Sequence, residues 1–446
     1  MRYRSRKRAR NGERGVTMII VAIAMVSMLA MVALAVDVIT LYAARSEAQR
    51  AADSAALAAA KMLVDAGVTA DPGNAGVETA AQTVATKIAQ DVAQQIAISG
   101  RQVQAADVTV TYPNTGTPSF GINPTVAVTV NRPNLPTFFS RIWTRAALSI
   151  SATATAEGFN PSNASSLPGG GIPVVVRGLK PFLLPNCDPG APGASCGGSA
   201  QTLFNVGTGA ITRPGQIPTG VIGETFTLTA NCTGAGCAAP GAPNPNKYYP
   251  AQMTRPPATS CPAACGGGTD FEENIECSNP TAFTCGSSVG TATGTIALDT
   301  TVTPDGLGGP AQTGVQCLIH ENGGSGQDIL NNNAAGPLTY PLEIQVGGDH
   351  PLAGSLANTY VTTSDSLVTV PVYDDIAAGG APPTAGTVQI IGFLQLFVNR
   401  SFPGGGPNAG SFDVTIVNIS GCGSSATGTP VFPGSTSAVP VRLIHQ

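Results

Sequence analysis

The chain has 446 residues, 11% of them charged, a formal net charge of −4, and ninety glycines and prolines among 42% hydrophobic residues. That is long enough for about three domains with a buried core, and the many apolar residues favour folded, turn-rich β structure over low-complexity disorder. The charge is lopsided: the first fourteen residues carry seven Lys or Arg against Glu13 alone, while residues 161–446 hold seven bases and sixteen acids.

Val16 to Val36 follows as twenty-one residues without a charge. At about 1.5 Å per residue such a helix covers the roughly 30 Å hydrocarbon core of a bilayer, so a transmembrane helix is expected over residues 15–37. Short basic flanks stay cytoplasmic, which sends the rest of the chain across the membrane and assigns the basic leader (1–14) to topology and anionic lipid rather than to nucleic acid. A cleaved signal peptide ending at Ala33-Leu34-Ala35 is the rival reading, but signal h-regions run about 7–15 residues. Prepilin-type processing after Gly12 or Gly15 is a third reading. The fifth residue past Gly15 is Ile20, where type IV prepilins usually carry Glu.

From Asp37 to Asp65 there is neither Gly nor Pro, and Ala dominates. Ala is the strongest helix former, so the span is expected to continue as one helix to about Asp65. Val38, Leu41, Ala48, Ala52, Ala55, Ala59 and Met62 form an apolar seam interrupted by Arg45, suited either to packing on the chain's own sheet or to self-association. Glu47, Arg50 and Asp53 sit at i,i+3 spacing, where local pairing supports the helix. A turn at Asp71–Asn74 leads to a second amphipathic helix from Val77 to Ile98. Period-two strands follow at Val108–Tyr112 and Val126–Val130, the second closed by Asn131-Arg132-Pro133. Next come a helical turn around Phe138, Phe139, Ile142 and Trp143, and a third strand from Leu148 to Ala156.

The leader with GERG, the apolar span, VDVITLYAARSEAQRAADSAALAAAK, and later NRPNLPTFFSRIW with ALSISATATAEG resemble the Tad (Flp) pilus-assembly family, specifically TadG-like proteins and their TadE relatives. The most specific residues are Asp37, Tyr42, Arg45, Gln49, Ala52, Asp53, Ala55, Ala56 and Leu57. The resemblance covers about the first 160 residues. It implies a bacterial inner-membrane protein with an exported domain that works with the machinery building adhesive Flp pili.

Residues 158–173 read as a Gly/Pro/Ser linker. Beyond it short apolar strands are expected at Pro173–Val176, Phe226–Thr229, Thr295–Leu298, Leu342–Val346, Leu367–Val372, Val388–Val398, Phe412–Val417 and Val439–Ile444, with one short helix at Gly314–Ile319. The fold class is therefore α+β: a single N-terminal transmembrane helix continuing into an exported stalk with a small α+β unit (38–157), the linker, and a disulfide-containing all-β, sandwich-like domain (174–446). Tyr248-Tyr249-Pro250, Phe271–Cys277, Gly309-Pro310 with Gly314-Val315, and Ser366–Asp374 with Ile391–Phe393 resemble the exported region of TadG-like proteins.

All ten cysteines lie between Cys187 and Cys422, as expected for disulfides formed in an oxidising compartment. Local pairing at Cys187/Cys196, Cys232/Cys237, Cys261/Cys265 and Cys277/Cys285, with Cys317 and Cys422 left over, is one of many possible connectivities. His320, His350 and His445 fall in no zinc spacing with them. No HExxH, GxxxxGK[ST], EF-hand loop or DxSxS is present. The acidic cluster Asp270, Glu272, Glu273 and Glu276 is a candidate for calcium or a solvated loop; Asp299 with Asp305-Gly306, and Asp374-Asp375, are weaker. His320 beside Glu321 lacks a nucleophile nearby. Asn231-Cys232-Thr233 and Asn418-Ile419-Ser420 match the glycosylation sequon by chance.

No catalytic, cofactor-binding or metal residue is therefore assigned. The expected function is a non-enzymatic, single-pass inner-membrane component of a Tad/Flp pilus system, N-terminus cytoplasmic and bulk periplasmic or extracellular, acting as envelope scaffold or pilus-associated protein. Its expected partners are other Tad machinery proteins or pilus subunits, with possible self-association through the Ala-rich helix and no nucleic acid. A surface adhesin or ligand-binding protein sharing the anchor is the alternative.

Overall fold

Helix α1 (Glu13–Asp65) is one unbroken run of 53 residues, as the absence of Gly and Pro between Val16 and Ala66 requires. A computed structural model of the chain describes residues 13–70, 74–113, 123–136, 148–162, 173–190, 196, 201–233, 235–237, 239–261, 265, 268–285, 294–305, 308–321, 326–330, 340–350, 359–375, 383, 386–402, 409–424, 426 and 433–444. The other helices are α2 (Ala75–Gln94), α3 (Asp270–Glu276) and α4 (Pro310–Leu318). The main strands are β1 (Val108–Thr111), β2 (Thr125–Leu135), β3 (Leu148–Gly158), β4 (Val174–Val176), β5 (Phe182–Pro185), β6 (Thr225–Ala230) and β7 (Lys247–Pro250). They continue with β8 (Phe283–Cys285), β9 (Thr295–Ala297), β10 (Leu367–Tyr373), β11 (Thr387–Ser401), β12 (Phe412–Gly421), β13 (Pro433–Ser435) and β14 (Val441–Ile444). The chain divides into two compact units: Met1–Ala55 with Ala89–Val110 and Val128–Ala154, and Ala56–Ile88 with Thr111–Ala127 and Thr155–Gln446.

In the first unit Glu47 serves a long-range contact and Asp53 a local i,i+4 one, rather than the expected i,i+3 pairs. Glu47 Oε2 accepts from the Ser99 backbone N–H at 2.7 Å, at the tip of a hairpin (Ala97–Ile98 with Arg101–Gln102) whose turn has Ser99 at φ 50° and Gly100 at φ 76°. Asp53 accepts from Gln49 Nε2 at 2.8 Å, and the same amide reaches the Thr153 carbonyl at 3.4 Å. β2 runs on to Leu135 instead of stopping at Asn131, and Asn134 takes a positive φ of 55° there. The helical turn expected around Phe138, Phe139, Ile142 and Trp143 lies outside the described residues, as do positions 71–73 of the turn before α2. Asn74 caps that helix, its Oδ1 accepting from Val77 N at 3.3 Å.

In the second unit six strands close on themselves. β10 pairs antiparallel with β11, β11 with β12 and β12 with β6; β6 lies parallel to β7, β7 antiparallel to β5, and β5 parallel to β10, completing the circuit, while β9 adds to β11. The all-β expectation thus takes the form of a closed, barrel-like sheet, an arrangement that leaves its six members without free edges. Alternate residues of one strand supply different cores, as a period of two dictates. Phe182, Leu184 and Tyr248 join one with α3 and α4 (Phe271, Ile275, Val315, Leu318), whereas Leu183, Tyr249 and Phe393 join another with β4 and the Cys285–Cys422 bridge. Phe182 meets Tyr248 edge-on at 4.9 Å and Phe412 at 4.8 Å, within the range where aromatic pairs add to simple burial. Phe204 lies over Gly392 and Gly421, cross-strand partners in β11 and β12; a Cβ on Gly392 would sit 2.5 Å from the ring.

The rest of this unit braces the barrel. β4 pairs antiparallel with β8 and parallel with β13. The final strand, β14, pairs with Thr155–Gly158 of β3, and Arg442 forms an ion pair with Glu157. The end of α1 is held to β12 by buried amides. Asn418 Nδ2 donates to the Val64 carbonyl at 2.9 Å and to Thr69 Oγ1 at 3.2 Å, and Asn160 Nδ2 donates to the Thr69 and Ile419 carbonyls at 3.2 and 3.1 Å. Asn418, Asn160 and Thr69 are fully buried, so each bond replaces hydration already lost.

Candidate functional site

The first part of α1 is a candidate membrane span. Val16 to Ile39 is almost wholly apolar and outward-facing, with Met18 and Met31 at 77% and 74% exposure, an apolar surface that water disfavours and lipid accepts. Farther along, the helix turns inward. Ala44, Ala48, Ala51, Ala52, Ala55, Ala56, Ala59 and Ala60 are buried within the chain's own fold, as are Met62 and Leu63. The Ala-rich seam is therefore already occupied from Ala48 to Met62, which takes away the surface that self-association through it needs. Among the residues most specific to the family, Asp37 is buried, Tyr42 is 73% exposed, and Gln49 and Asp53 bond to each other one helical turn apart.

The sequence-nominated acids have structural occupations. Asp270, Glu272, Glu273 and Glu276 form helix α3, not a loop; Thr269 caps it, and acids in its first turn suit the helix dipole. Arg255 pairs with Asp270 at 3.1 Å and with Glu273. Lys180 is buried under the other end, its Nζ donating to the Ile275 and Cys277 carbonyls at 2.6 and 3.0 Å. Burial lowers its pKa to about 8 against the opposing pull of Asp365 and Glu276. Asp299 accepts from Thr301, and Asp305 accepts from Ala230 N and Tyr248 Oη at 2.8 and 3.2 Å. His320 and Glu321 do not act as a pair: His320 Nε2 meets Asp365 at 3.0 Å, and Glu321 accepts from Ser401 N at 2.9 Å. Asn231 and Asn418 of the two sequons are buried and hydrogen-bonded. His445 lies outside the described residues.

The cysteines form five bridges, Cys187–Cys196, Cys232–Cys237, Cys261–Cys277, Cys265–Cys317 and Cys285–Cys422, with Cα separations of 4.4–6.0 Å. The first two are the local pairs expected; Cys261/Cys265 and Cys277/Cys285 are not formed, because the fold brings Cys277 at the end of α3 and Cys317 in α4 to the segment holding Cys261 and Cys265. Two groupings of acids with these sulfurs have metal-like spacing, Cys187/Cys196/Asp375 and Cys265/Glu276/Cys317. Their sulfurs are disulfide-bonded, and the thiolate is the metal-ligating form.

One cluster was missed by sequence reading because its members come from three separate loops. Asp188 and Glu224 lie side by side, both buried, with Gly190 N donating to each at 3.0 Å and Arg213 paired to Asp188 and 4.0 Å from Glu224. Burial, then the neighbouring Asp188 charge, pushes the Glu224 carboxyl up to about 8, which favours its protonated form at neutral pH. Arg213 and Glu224 open onto a cavity of about 300 Å³ walled by Ile217, Pro218 and Phe226. Arg213, Glu224 and Thr225 thus offer hydrogen-bonding groups beside an apolar wall.

Residues 15–62 match the Tad family model, Flp pilus-assembly TadE/G-like, which coincides with α1 from the start of the apolar run to the last buried turns. No curated protein and no solved structure matches the chain.

Proposed function

We propose that this chain, whose residues 15–62 are a TadE/G-like Tad domain, is a membrane-anchored, non-enzymatic component of a bacterial Tad/Flp pilus-assembly system, acting as envelope scaffold or pilus-associated protein. The observation carrying the reading is α1 itself: one unbroken helix presents lipid-compatible surface at its start and is built into the folded exported part at its end. The basic leader orients the N-terminus to the cytoplasm, and five disulfides suit a bulk that is periplasmic or extracellular. Inner-membrane lipid, other Tad machinery proteins and pilus subunits are the partners on this reading. Deleting the gene is expected to abolish or reduce Flp pili and surface attachment, with restoration by the full chain; unchanged pilus number and attachment overturn it.

The cavity beside Arg213 and Glu224 favours a second reading, a ligand-binding or adhesive protein that shares the Tad anchor. On that reading the deletion leaves pili intact while attachment falls, and Arg213→Ala reproduces the attachment defect.

A further inference from the structure

The order of the bridges along the chain determines how they must be made. Numbered by appearance, the last six cysteines are Cys261, Cys265, Cys277, Cys285, Cys317 and Cys422, and the native bridges join the first to the third, the second to the fifth and the fourth to the sixth. Every one of these bridges interleaves with another, and none joins sequence neighbours. A chain oxidised as it emerges, or as an unfolded coil, meets neighbours first. Loop-closure entropy scales as (3/2)RT ln n, so on sequence separation alone Cys261–Cys265, four residues apart, is favoured by at most about 8-fold over Cys261–Cys277 (separation 16) and about 50-fold over Cys265–Cys317 (separation 52). We propose that this protein is a client of a disulfide isomerase, a thiol catalyst that reshuffles bridges, in addition to the dithiol oxidant that first forms them.

The reshuffling is redox-neutral and its bonds balance. Pairing in order of appearance forms Cys261–Cys265, Cys277–Cys285 and Cys317–Cys422. The catalyst's thiolate attacks Cys265 Sγ, the Cys261–Cys265 bond breaks, and Cys261 leaves as a thiolate. Cys261 then attacks Cys277, releasing Cys285; Cys285 attacks Cys422, releasing Cys317; and Cys317 attacks Cys265 in the mixed disulfide, releasing the catalyst's thiolate unchanged. Three bridges enter and three leave. The native set wins once the helices pack: Cys277 closes α3, its N–H bonding the Glu273 carbonyl at 2.9 Å, and Gly314 of α4 lets the helices approach so closely that a Cβ there would stand 3.0 Å from Ile275. The inference is independent of any role in pilus assembly.

The sequence supplies a direct readout. Cleavage after glutamate gives one peptide from Thr225 to Glu272 containing Cys261 and Cys265 together with Cys232 and Cys237, whose own bridge stays inside it, one from Cys277 to Glu321 containing Cys277, Cys285 and Cys317, and one from Ile344 onward containing Cys422. Native bridges hold all three together, whereas Cys261–Cys265 frees the first. Full-length protein, reduced and denatured in detergent, is reoxidised with a dithiol oxidant alone or with a disulfide isomerase added, then unfolded with thiols blocked and digested without reduction. Oxidant alone is expected to leave most of peptide 225–272 free, and the isomerase to raise the linked fraction severalfold, while Cys187–Cys196 and Cys232–Cys237 form in both. Equal linked yield and rate without the isomerase overturn the proposal. So does protein purified from its native membrane with peptide 225–272 free, which refutes the connectivity itself.

Discussion

Asn418→Ala isolates the clasp between the end of α1 and the barrel. The side chain is fully buried and donates to the Val64 carbonyl at 2.9 Å and to Thr69 Oγ1 at 3.2 Å, while its own Oδ1 accepts from Ile419 N at 2.8 Å. Val64 O keeps a second donor, Gly67 N at 3.0 Å, so the carbonyl is not orphaned outright. Two lost donations at about 1 kcal/mol each, plus the small void left by the amide, give a loss of roughly 2–3 kcal/mol. In a unit of this size, with an unfolding entropy of about 2.1 cal/mol/K per residue, that lowers Tm by roughly 3–4 °C. Thermal unfolding of the full chain in detergent, followed by circular dichroism, measures it, with exposed Gln252→Ala as a control expected to shift Tm by less than about 1 °C. A variant melting within a degree of the parent refutes the reasoning, since it would mean that the buried amides carry no weight in holding the helix end.

Three further outcomes follow from the geometry. Glu224, whose folded pKa is raised to about 8 from 4.5, contributes stability that is full below about pH 4.5 and is lost as pH rises through about 8; Glu224→Gln, which mimics the protonated acid, is expected to flatten the fall in Tm between pH 5 and 8, and parallel profiles for the two proteins argue against a protonated Glu224. Gly392→Ala forces its new methyl into the Phe204 ring and should cost about 1–3 kcal/mol; adding Phe204→Ala relieves part of that cost, so a strictly additive double mutant in urea unfolding contradicts the contact. Val26→Arg with Leu29→Arg places two charges in the apolar run at about 3 kcal/mol each, and the protein is expected to become extractable by alkaline carbonate; retention equal to the parent counts against the span.

Local signals carried the sequence reading as far as they reach. The unbroken course of α1 was legible because Ala-rich sequence excludes a breaker until Gly67, and β10, β11 and β12 announce themselves as long β-branched and aromatic runs. β5 and β7 did not: each is four residues, each ends in proline, and Phe182-Leu183-Leu184-Pro185 has no alternation to read. Missing those two strands conceals the closure, because they join β6 to β10. The acidic residues near Glu272 were visible as a cluster, but their cations, Arg255 and Lys180, are supplied from about 15 and 95 residues away. Asp188, Arg213 and Glu224 carry no motif spacing at all, and only the folded loops make them one cluster.

The clasp at Asn418 also sets a clock. Its bond to Val64 spans 354 residues of sequence, and the last barrel strand runs from Phe412 to Gly421. Until residue 412 has been made, then, β5, β6, β7 and β10 exist without the strand that closes their circuit, and their unpaired backbone groups are exposed to any other chain nearby. Contacts of such long sequence separation form late and slowly, and incomplete sheets of this kind are prone to aggregate. A stop codon or proteolytic cut anywhere before residue 412 would therefore leave an open sheet joined to helix α1, not a shortened barrel, and quality-control proteases would meet it as an unfolded chain.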